Sequence, residues 1–284
     1  MMHLFRHSMK YMAMMLLFAA VLSSCIYDKY HTVQFSITAN AVGDDGKTLP
    51  DYLIDSKKIY FFVNERYYDG LVQGPDGSYQ VSFPEGAAYT FVAAGSEDDA
   101  AFRFMQPVDG DYIHSQYVEV MDYDNLPPLY WGSVTTTDGS TESVRVEMRD
   151  IRCRVHVLIR NLRNRFGDGQ YAVFIGGLRK GLTFAGEACG DMTEVRRSGA
   201  FQGTVDQWLS DELVALPTAQ GEGITVRLQR GDGELIAYAD RDDDGNVMAL
   251  PASGDVVFII TMYDRVGISV RVAPWSDVYS EFIF

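Results

Sequence analysis

The chain is predicted to be an all-β protein behind a short N-terminal export signal, and three observations lead to this prediction. Its 284 residues are 47% hydrophobic and 13% aromatic, which is enough apolar material for packed cores. Short stretches of alternating or β-branched residues recur along the chain. The spacers between them are rich in Gly, Asp, Asn and Pro, which are the residue types that turns require. Many short strands separated by turns favour antiparallel β-sandwiches.

The first 24 residues are typical of a lipoprotein signal peptide. A basic segment containing Arg6 and Lys10 precedes the apolar run Met12–Val21, which is too short to span a bilayer. The sequence LSSC at positions 22–25 follows and resembles the bacterial lipobox, where the cysteine is acylated and the chain is cut before it. We therefore expect Cys25 to be the first mature residue and the lipid attachment site, with several acyl chains for stable anchoring. The alternative is an ordinary secretory signal with an incidental cysteine.

The charge of the mature chain argues against nucleic acid as a partner. Removal of residues 1–24 takes away Arg6 and Lys10 and no acid, so the formal net charge of −15 becomes −17. Such a surface repels nucleic acid and anionic lipid head groups. No apolar run after the signal approaches the length of a transmembrane helix, so the lipid is the only expected membrane attachment.

Strands are predicted along the whole mature chain. Ile151–Ile159 has apolar residues at its odd positions and mostly basic residues at its even positions, as in a half-buried antiparallel strand. The only predicted helical turn is Val205–Leu213. The other predicted strands are Val33–Ala39, Lys57–Val63, Ala88–Ala94, Ser143–Met148, Gln170–Ile175, Ile224–Gln229, Glu234–Ala239, Val256–Met262, Gly267–Val272 and Tyr279–Phe284.

The mature length suits two domains of ordinary size. The polar pair Arg149-Asp150 lies between two strong strands and is the best boundary. The predicted division is a signal peptide at 1–24, an N-terminal β-sandwich domain at 25–149 and a C-terminal β-sandwich domain at 150–284.

Several segments in a fixed order carry a resemblance to a known family. The chain resembles the fimbrillin-related lipoproteins of Gram-negative anaerobes, and among them the FimB-type fimbrial anchor and accessory group. The segments are the lipobox, the aromatic and polar residues 26–30, the strand and turn of 57–69, GSY at 77–79, PEGAAYTFVAAG at 84–95, LYWG at 129–132, the strand 144–148 with Arg149, and PWSDV at 274–278.

This resemblance implies two tandem transthyretin-like antiparallel β-sandwich domains, held by lipid at the outer membrane on the cell surface or fimbrium. It implies the base or a minor accessory subunit of a fimbrium, with a role in cell adhesion. The implied partner is a fimbrillin-like pilus subunit, joined by the pairing of a donated strand with a sheet edge. Cys25 would tie the N-terminal segment to the membrane, whereas a shaft subunit must free that segment by proteolysis.

The sequence has no motif of a known catalytic class. Nucleophile-elbow, zinc-protease, phosphate-loop and dinucleotide signatures are all absent from it. The mature chain keeps only His31, His114 and His156, and His156 is expected on the solvated face of its strand, among arginines. We therefore predict no catalytic residue, no cofactor and no enzymatic activity.

Two groups of residues have side chains that can bind a metal ion or form a disulfide. Asp240, Asp242 and Asp244 with Gly245 match the first half of a calcium loop, but Pro251 stands where a bidentate Glu is required. An acidic turn is favoured, with a weak calcium site as the alternative. For Cys153 and Cys189, free thiols are favoured over a disulfide, because their spacing matches no known framework.

The aromatic residues support a second class of function. Seventeen tyrosines and three tryptophans could form a glycan-binding platform of a nutrient-uptake lipoprotein. In β-sandwiches most such rings serve the core, so Trp131, Trp208 and Trp275 are expected to be structural. Tyr67-Tyr68, in a predicted turn, is the best candidate for an exposed aromatic pair.

Overall fold

The computed structural model describes residues 30–54, 56–69, 72–73, 79–84, 86–137, 143–203, 205–263 and 267–279. The predicted signal peptide and Cys25 lie outside these residues. The strands are β1 Tyr30–Val42, β2 Ser56–Val63, β3 Arg66–Tyr67, β4 Val72–Gln73, β5 Tyr79–Pro84, β6 Tyr89–Ser96, β7 Phe102–Phe104, β8 Tyr117–Val120, β9 Leu129–Thr136, β10 Ser143–Asp150, β11 Cys153–Arg160, β12 Tyr171–Thr183, β13 Ala188–Phe201, β14 Gln207–Ser210, β15 Leu213–Ala215, β16 Thr225–Arg230, β17 Leu235–Ala239, β18 Asp255–Met262 and β19 Ile268–Pro274. The helical segments are α1 Leu162–Phe166, α2 Trp275–Tyr279 and two 3₁₀ turns, Asp51–Leu53 and Asp99–Ala101.

The strands form two sheets, which confirms the all-β prediction. Sheet 1 has the order β3-β2-β6-β9-β10-β1-β5-β4, and sheet 2 the order β17-β16-β12-β13-β14-β11-β18-β19. β15 pairs with β11, and the β7–β8 hairpin joins sheet 2 through β8 and β12. Two pairs, β1 with β10 and β11 with β18, are parallel, and the others are antiparallel. β11 therefore differs from the purely antiparallel strand that its sequence predicted.

Every predicted strand except the last lies within about two residues of an observed one or inside it. The helical turn predicted at Val205–Leu213 is wrong, because this stretch contains β14 and the start of β15. Trp208 and Ser210 are buried there at a spacing of two, which is the period of a strand. The strand predicted at Tyr279–Phe284 is wrong at its start, since Tyr279 ends α2, and residues 280–284 lie outside the described part.

Three clusters of buried side chains hold the sheets together. The largest is continuous across both sheets, and a second covers the other face of sheet 1. Adjacent residues of β2 enter different clusters, Phe62 the first and Phe61 the second, because successive strand side chains point to opposite faces. The third cluster lies beneath α2 and joins Val278 to Leu158 and Val257 of sheet 2.

The two halves of the chain meet through interlocking aromatic side chains. Phe184, fully buried after β12, has its ring centroid 4.1 Å from that of Tyr60 and 6.0 Å from that of Phe62, both on β2. A Cβ on Gly186 would lie 2.9 Å from the indole of Trp131, and the φ of Gly186 is +86°. Only glycine meets both demands without strain. The domain boundary at Arg149-Asp150 stays a prediction.

Candidate functional site

Strand pairing with a partner requires a sheet edge whose backbone groups are open. At one end of sheet 1 the edge strand β3 is covered by the loop that follows β7. The Tyr67 amide donates to the Asp111 carbonyl at 2.7 Å, and the Gly110 amide donates to the Tyr67 carbonyl at 2.9 Å. The Ile113 amide donates to the Glu65 carbonyl at 2.8 Å. This edge is therefore already paired. At the other end, β4 is only two residues long.

At one end of sheet 2 lies the edge strand β19, and Asp243 forms hydrogen bonds with the backbone at the middle of this strand. The Asp243 amide donates to the Val270 carbonyl at 2.9 Å, and the Asp243 carboxylate accepts from the Val270 amide at 2.7 Å. Ser269 Oγ donates to the same carboxylate. Asp243 thus occupies both outward backbone groups of Val270, as a neighbouring strand would.

At the other end of sheet 2 the edge strand β17 pairs with β16 alone. Within the described residues, no backbone hydrogen bond reaches its other side. Leu235 and Tyr238 are 55% and 48% exposed, whereas Ala237 and Ala239 are buried. The sequence LIAYA carries no charge. β17 is therefore an unpaired edge with apolar side chains, a feature that soluble proteins usually avoid.

A second stretch with a strand partner on one side only has a different character. β13 meets β14 at Gly199–Phe201, and residues 188–198 are paired only with β12. This stretch exposes the charged residues Asp191, Glu194 and Arg196. Its pairing with β12 is interrupted by two register shifts. Charges and irregularities of this kind discourage strand addition.

The acidic segment 240–246 forms a turn, as its sequence predicted. Asp242 accepts hydrogen bonds from the backbone amides of Asp244 and Asn246, at 3.1 and 2.7 Å, and from the Asn246 side chain at 3.2 Å. These bonds, the side-chain one above all, lower the pKa of Asp242 below its usual value of 3.8. Within the described residues, the carboxylates of Asp240 and Asp244 make no hydrogen bond or ion pair. Among the described residues no group of three or more His, Cys, Asp or Glu side chains is arranged to hold a metal ion.

His156 is not on a solvated face, and the expectation that it would be is wrong. Its side chain is 12% exposed, because α2 lies across this face of sheet 2. The imidazole stacks on the Trp275 indole, with centroids 4.1 Å apart and planes 21° apart. Its Nε2 lies 3.6 Å from Glu212, and its buried Nδ1 has no hydrogen-bond partner among the described residues. Burial lowers the pKa of His156, and the Glu212 carboxylate partly opposes this shift.

Among the contacts of the described residues, His114 makes none with His156. His114 is half exposed, and its Nδ1 lies 3.0 Å from the Glu187 carboxylate. His31 lies in β1, and its side chain is outside the described part of the structure. The structure therefore does not bring together a catalytic set of histidines from the residues it describes.

Cys153 and Cys189 are free thiols in the structure. Cys153 is fully buried, and Cys189 is partly buried. Burial raises the pKa of Cys153 to about 12 and that of Cys189 to about 11. Both side chains are therefore protonated at neutral pH and poor nucleophiles.

The aromatic residues singled out in the sequence are largely packed. Trp208 is buried, Trp131 packs against the main cluster, and Trp275, the first residue of α2, packs against the third cluster, as expected of structural rings. The exposed pair predicted at Tyr67-Tyr68 is wrong. The Tyr67 ring lies 5.7 Å from that of Phe62, and the Tyr68 ring lies 6.0 Å from that of Phe61. The two tyrosines thus cover opposite faces of β2.

The polar side chains at the predicted domain boundary are paired with one another. Arg152 is 8% exposed and donates to the Asp150 carboxylate from Nε at 2.8 Å and from Nη2 at 2.6 Å. Arg154 lies 3.5 Å from Asp255. These four side chains line one cleft. Because it carries both positive and negative groups, it does not favour an ion of either sign.

Within the described residues, no helix has the length and apolar character needed to cross a membrane. A family model described as fimbrillin-A associated anchor proteins Mfa1 and Mfa2 matches residues 23–281. No curated protein matches the chain.

Solved structures with a similar fold have little sequence identity to the chain. The fimbrial anchor protein Mfa2 from Porphyromonas gingivalis has a TM-score of 0.54 at 12% identity, over 85% of this chain and 98% of its own. A candidate polysaccharide-binding protein from Bacteroides thetaiotaomicron has the same values. A candidate adhesin from Bacteroides ovatus has a TM-score of 0.52 at 14% identity, over 87% of this chain and 95% of its own. These similarities show a shared fold.

The family match runs from the predicted lipobox to a point just beyond α2 and so includes both sheets. It agrees with the two-sheet architecture and confirms the resemblance to fimbrial anchors that the sequence indicated. The chain belongs to the family of fimbrillin-A associated anchor proteins Mfa1 and Mfa2.

Proposed function

We propose that the protein is an outer-membrane lipoprotein, acylated at Cys25, that serves as a fimbrial anchor or minor accessory subunit. It binds a fimbrillin-like subunit by strand pairing and has no catalytic role. The family match over residues 23–281 carries this proposal. The fold shared with the Mfa2 anchor and the unpaired strand β17 support it.

The lipid anchor is tested by Cys25→Ala in the full chain. Because every acyl chain depends on this thiol, the variant should move from the membrane fraction to the soluble fraction. Cys189→Ala is the matched control and should stay in the membrane. Mass spectrometry of the mature N-terminus provides the direct measurement, and an unmodified Cys25 would contradict the anchor.

The fimbrial role is tested by deleting the gene. Fimbriae should then be shed, abnormally long or missing from the cell surface. A second candidate function is glycan binding, favoured by the similar fold of the candidate polysaccharide-binding protein. Wild-type fimbriae after deletion, together with tight glycan binding by the purified protein, would support that alternative.

A further inference from the structure

We propose that the outer edge of β17 is where the fimbrial partner adds its strand, and that this strand is apolar at its centre and basic at its ends. The inference rests on the proposed fimbrial role. It names the surface and the chemistry through which that role is carried out.

The sheet edges differ in how they are protected. β3 is paired with the loop after β7, and β19 is closed at Val270 by Asp243. The unpaired part of β13 exposes three charged residues. β17 carries no charge along its five residues, and none of the described segments covers its outer edge. Of these four edges, β17 is therefore the one to which an incoming strand could pair most easily.

A β-bulge in β17 places its two exposed apolar side chains on the same face. Leu228 pairs with Ala237 and Gln229 pairs with Leu235, so Ile236 is an extra residue in the ladder. By simple alternation Leu235 and Tyr238 would point to opposite faces, and the extra residue brings them together. An added strand would pack its own apolar side chains beside these two residues while its backbone pairs with β17.

The charges at the two ends of β17 indicate the charge of the partner. Asp232 and Glu234 precede the strand, and Asp240, Asp242 and Asp244 follow it. Glu234 is neutralised by Arg230 at 2.9 Å, and the remaining acids outnumber the single Arg241. Basic residues at both ends of a donated strand would complement these acids.

The same charges argue against a second copy of this chain as the occupant. Two β17 strands paired antiparallel would place residues 232–234 of one copy near residues 240–244 of the other. Acidic groups would then face acidic groups across the new ladder, which is unfavourable. A strand from a different fimbrial subunit fits the edge better.

The experiment uses the full lipoprotein in its native cells, with a photoreactive phenylalanine analogue at position 238. Irradiation should link the protein to a fimbrial subunit, identified by mass spectrometry, through an apolar segment flanked by Lys or Arg. The analogue at position 263 is the matched control, because Tyr263, directly after β18 of sheet 2, is also an exposed tyrosine, with 60% of its surface accessible. It should give no such product.

Substitution provides an independent measurement. Tyr238→Asp introduces a charge beside the added strand and should lower subunit attachment about tenfold, whereas Tyr263→Asp should leave it unchanged. Leu235→Asp should act as Tyr238→Asp does. Circular dichroism of each variant establishes that it remains folded, and the photoreactive variant keeps an aromatic ring at position 238.

Failure of this inference differs from failure of the proposed function. If deletion of the gene disrupts fimbriae but position 238 captures no subunit, or captures a second copy of this chain, the assignment to β17 is wrong and the fimbrial role stands. If the folded Tyr238→Asp variant attaches the fimbrial subunit normally, the assignment to β17 is likewise wrong and the fimbrial role stands. If deletion leaves fimbriae unchanged, the fimbrial role itself fails.

Discussion

His156 shows how one residue can link the packing of α2 to pH. The imidazole lies between sheet 2 and the Trp275 indole, with Glu212 as its nearest carboxylate. A protonated imidazole would gain from both the indole face and the carboxylate, but it would lose water at the buried Nδ1. The lowered pKa of His156 indicates that the loss of water has the larger effect.

We expect this residue to make the protein less stable as the pH falls below neutral. The unfolded chain takes up the proton near pH 6.5, whereas the folded chain takes it up only at a lower pH. Between these two values the unfolded state binds more protons, so the free energy of unfolding falls with the pH until the folded histidine is protonated too. Above pH 6.5 the contribution is absent.

Urea unfolding from pH 7.5 down to pH 5.5 measures this contribution. His156→Gln should flatten the dependence, and His114→Gln, at a half-exposed histidine, is the control and should keep it. An unchanged dependence in His156→Gln would mean that other groups cause it.

At the scale of elements, the segment 240–246 takes the position that a neighbouring strand would have beside β19. Its Asp243 satisfies both outward backbone groups of Val270, although the segment itself is a turn. The turn thus pairs the edge of sheet 2 at one point without adding a strand. This explains why an acidic run that resembles half of a calcium loop has a structural role in this fold.

We expect Asp243→Ala to destabilise the protein by about 1 kcal/mol, because the Val270 amide loses its acceptor. Amide hydrogen exchange at Val270 should become faster, since the edge then opens to water. Asp244→Ala is the matched control, because the carboxylate of Asp244 makes no hydrogen bond within the described part of the chain. It should change neither measurement.

The elements with a clear period could be predicted from the sequence, and the others could not. The alternation in β11 and the aromatic run in β2 define strands on their own. β13 was missed because only Val195 is buried along its 14 residues, so its sequence has no apolar period. The five residues of α2 are too few to show a helical period.

The candidate site could be predicted only in part, for a related reason. The strand now identified as β17 was expected from its residues, but its place at the end of a sheet depends on the order of all the strands. The acidic run that contains Asp243 is evident in the sequence. Nothing in the sequence shows that Asp243 contacts Val270, 27 residues later in the chain. Edge status and long-range contacts are tertiary properties.

At the scale of the whole molecule, the two sheets are joined by a common cluster of buried side chains. Phe184 from the second half packs against Tyr60 and Phe62 from the first half. Trp131 of sheet 1 lies over Gly186, which is two residues after Phe184 in the chain. Such packing couples the stability of the two sheets, because neither can lose its contacts without exposing part of the other.

We expect Phe184→Ala to destabilise the protein by about 3–5 kcal/mol. Both sheets should still unfold in one transition, which hydrogen exchange resolved along the chain can follow in each sheet separately. Phe174→Ala is the control, because this half-buried ring lies within β12, the strand that Phe184 follows, on the side that Arg227 covers. The free energy of unfolding should fall by less in Phe174→Ala than in Phe184→Ala. Two separate transitions in the unsubstituted protein would contradict the coupling.

The β7–β8 hairpin affects the order in which the chain can fold. Residues 102–120 come well before residues 171–183 in the chain, yet β8 finds its neighbour in β12. Until β12 emerges, one side of this hairpin has no partner, and its apolar residues Phe102, Phe104, Val118 and Val120 have only part of their final surroundings. Nascent chains with such exposed edges are prone to misassembly. We therefore expect a chain that stops before β12 to depend on a chaperone, and the completed chain to be released from that dependence.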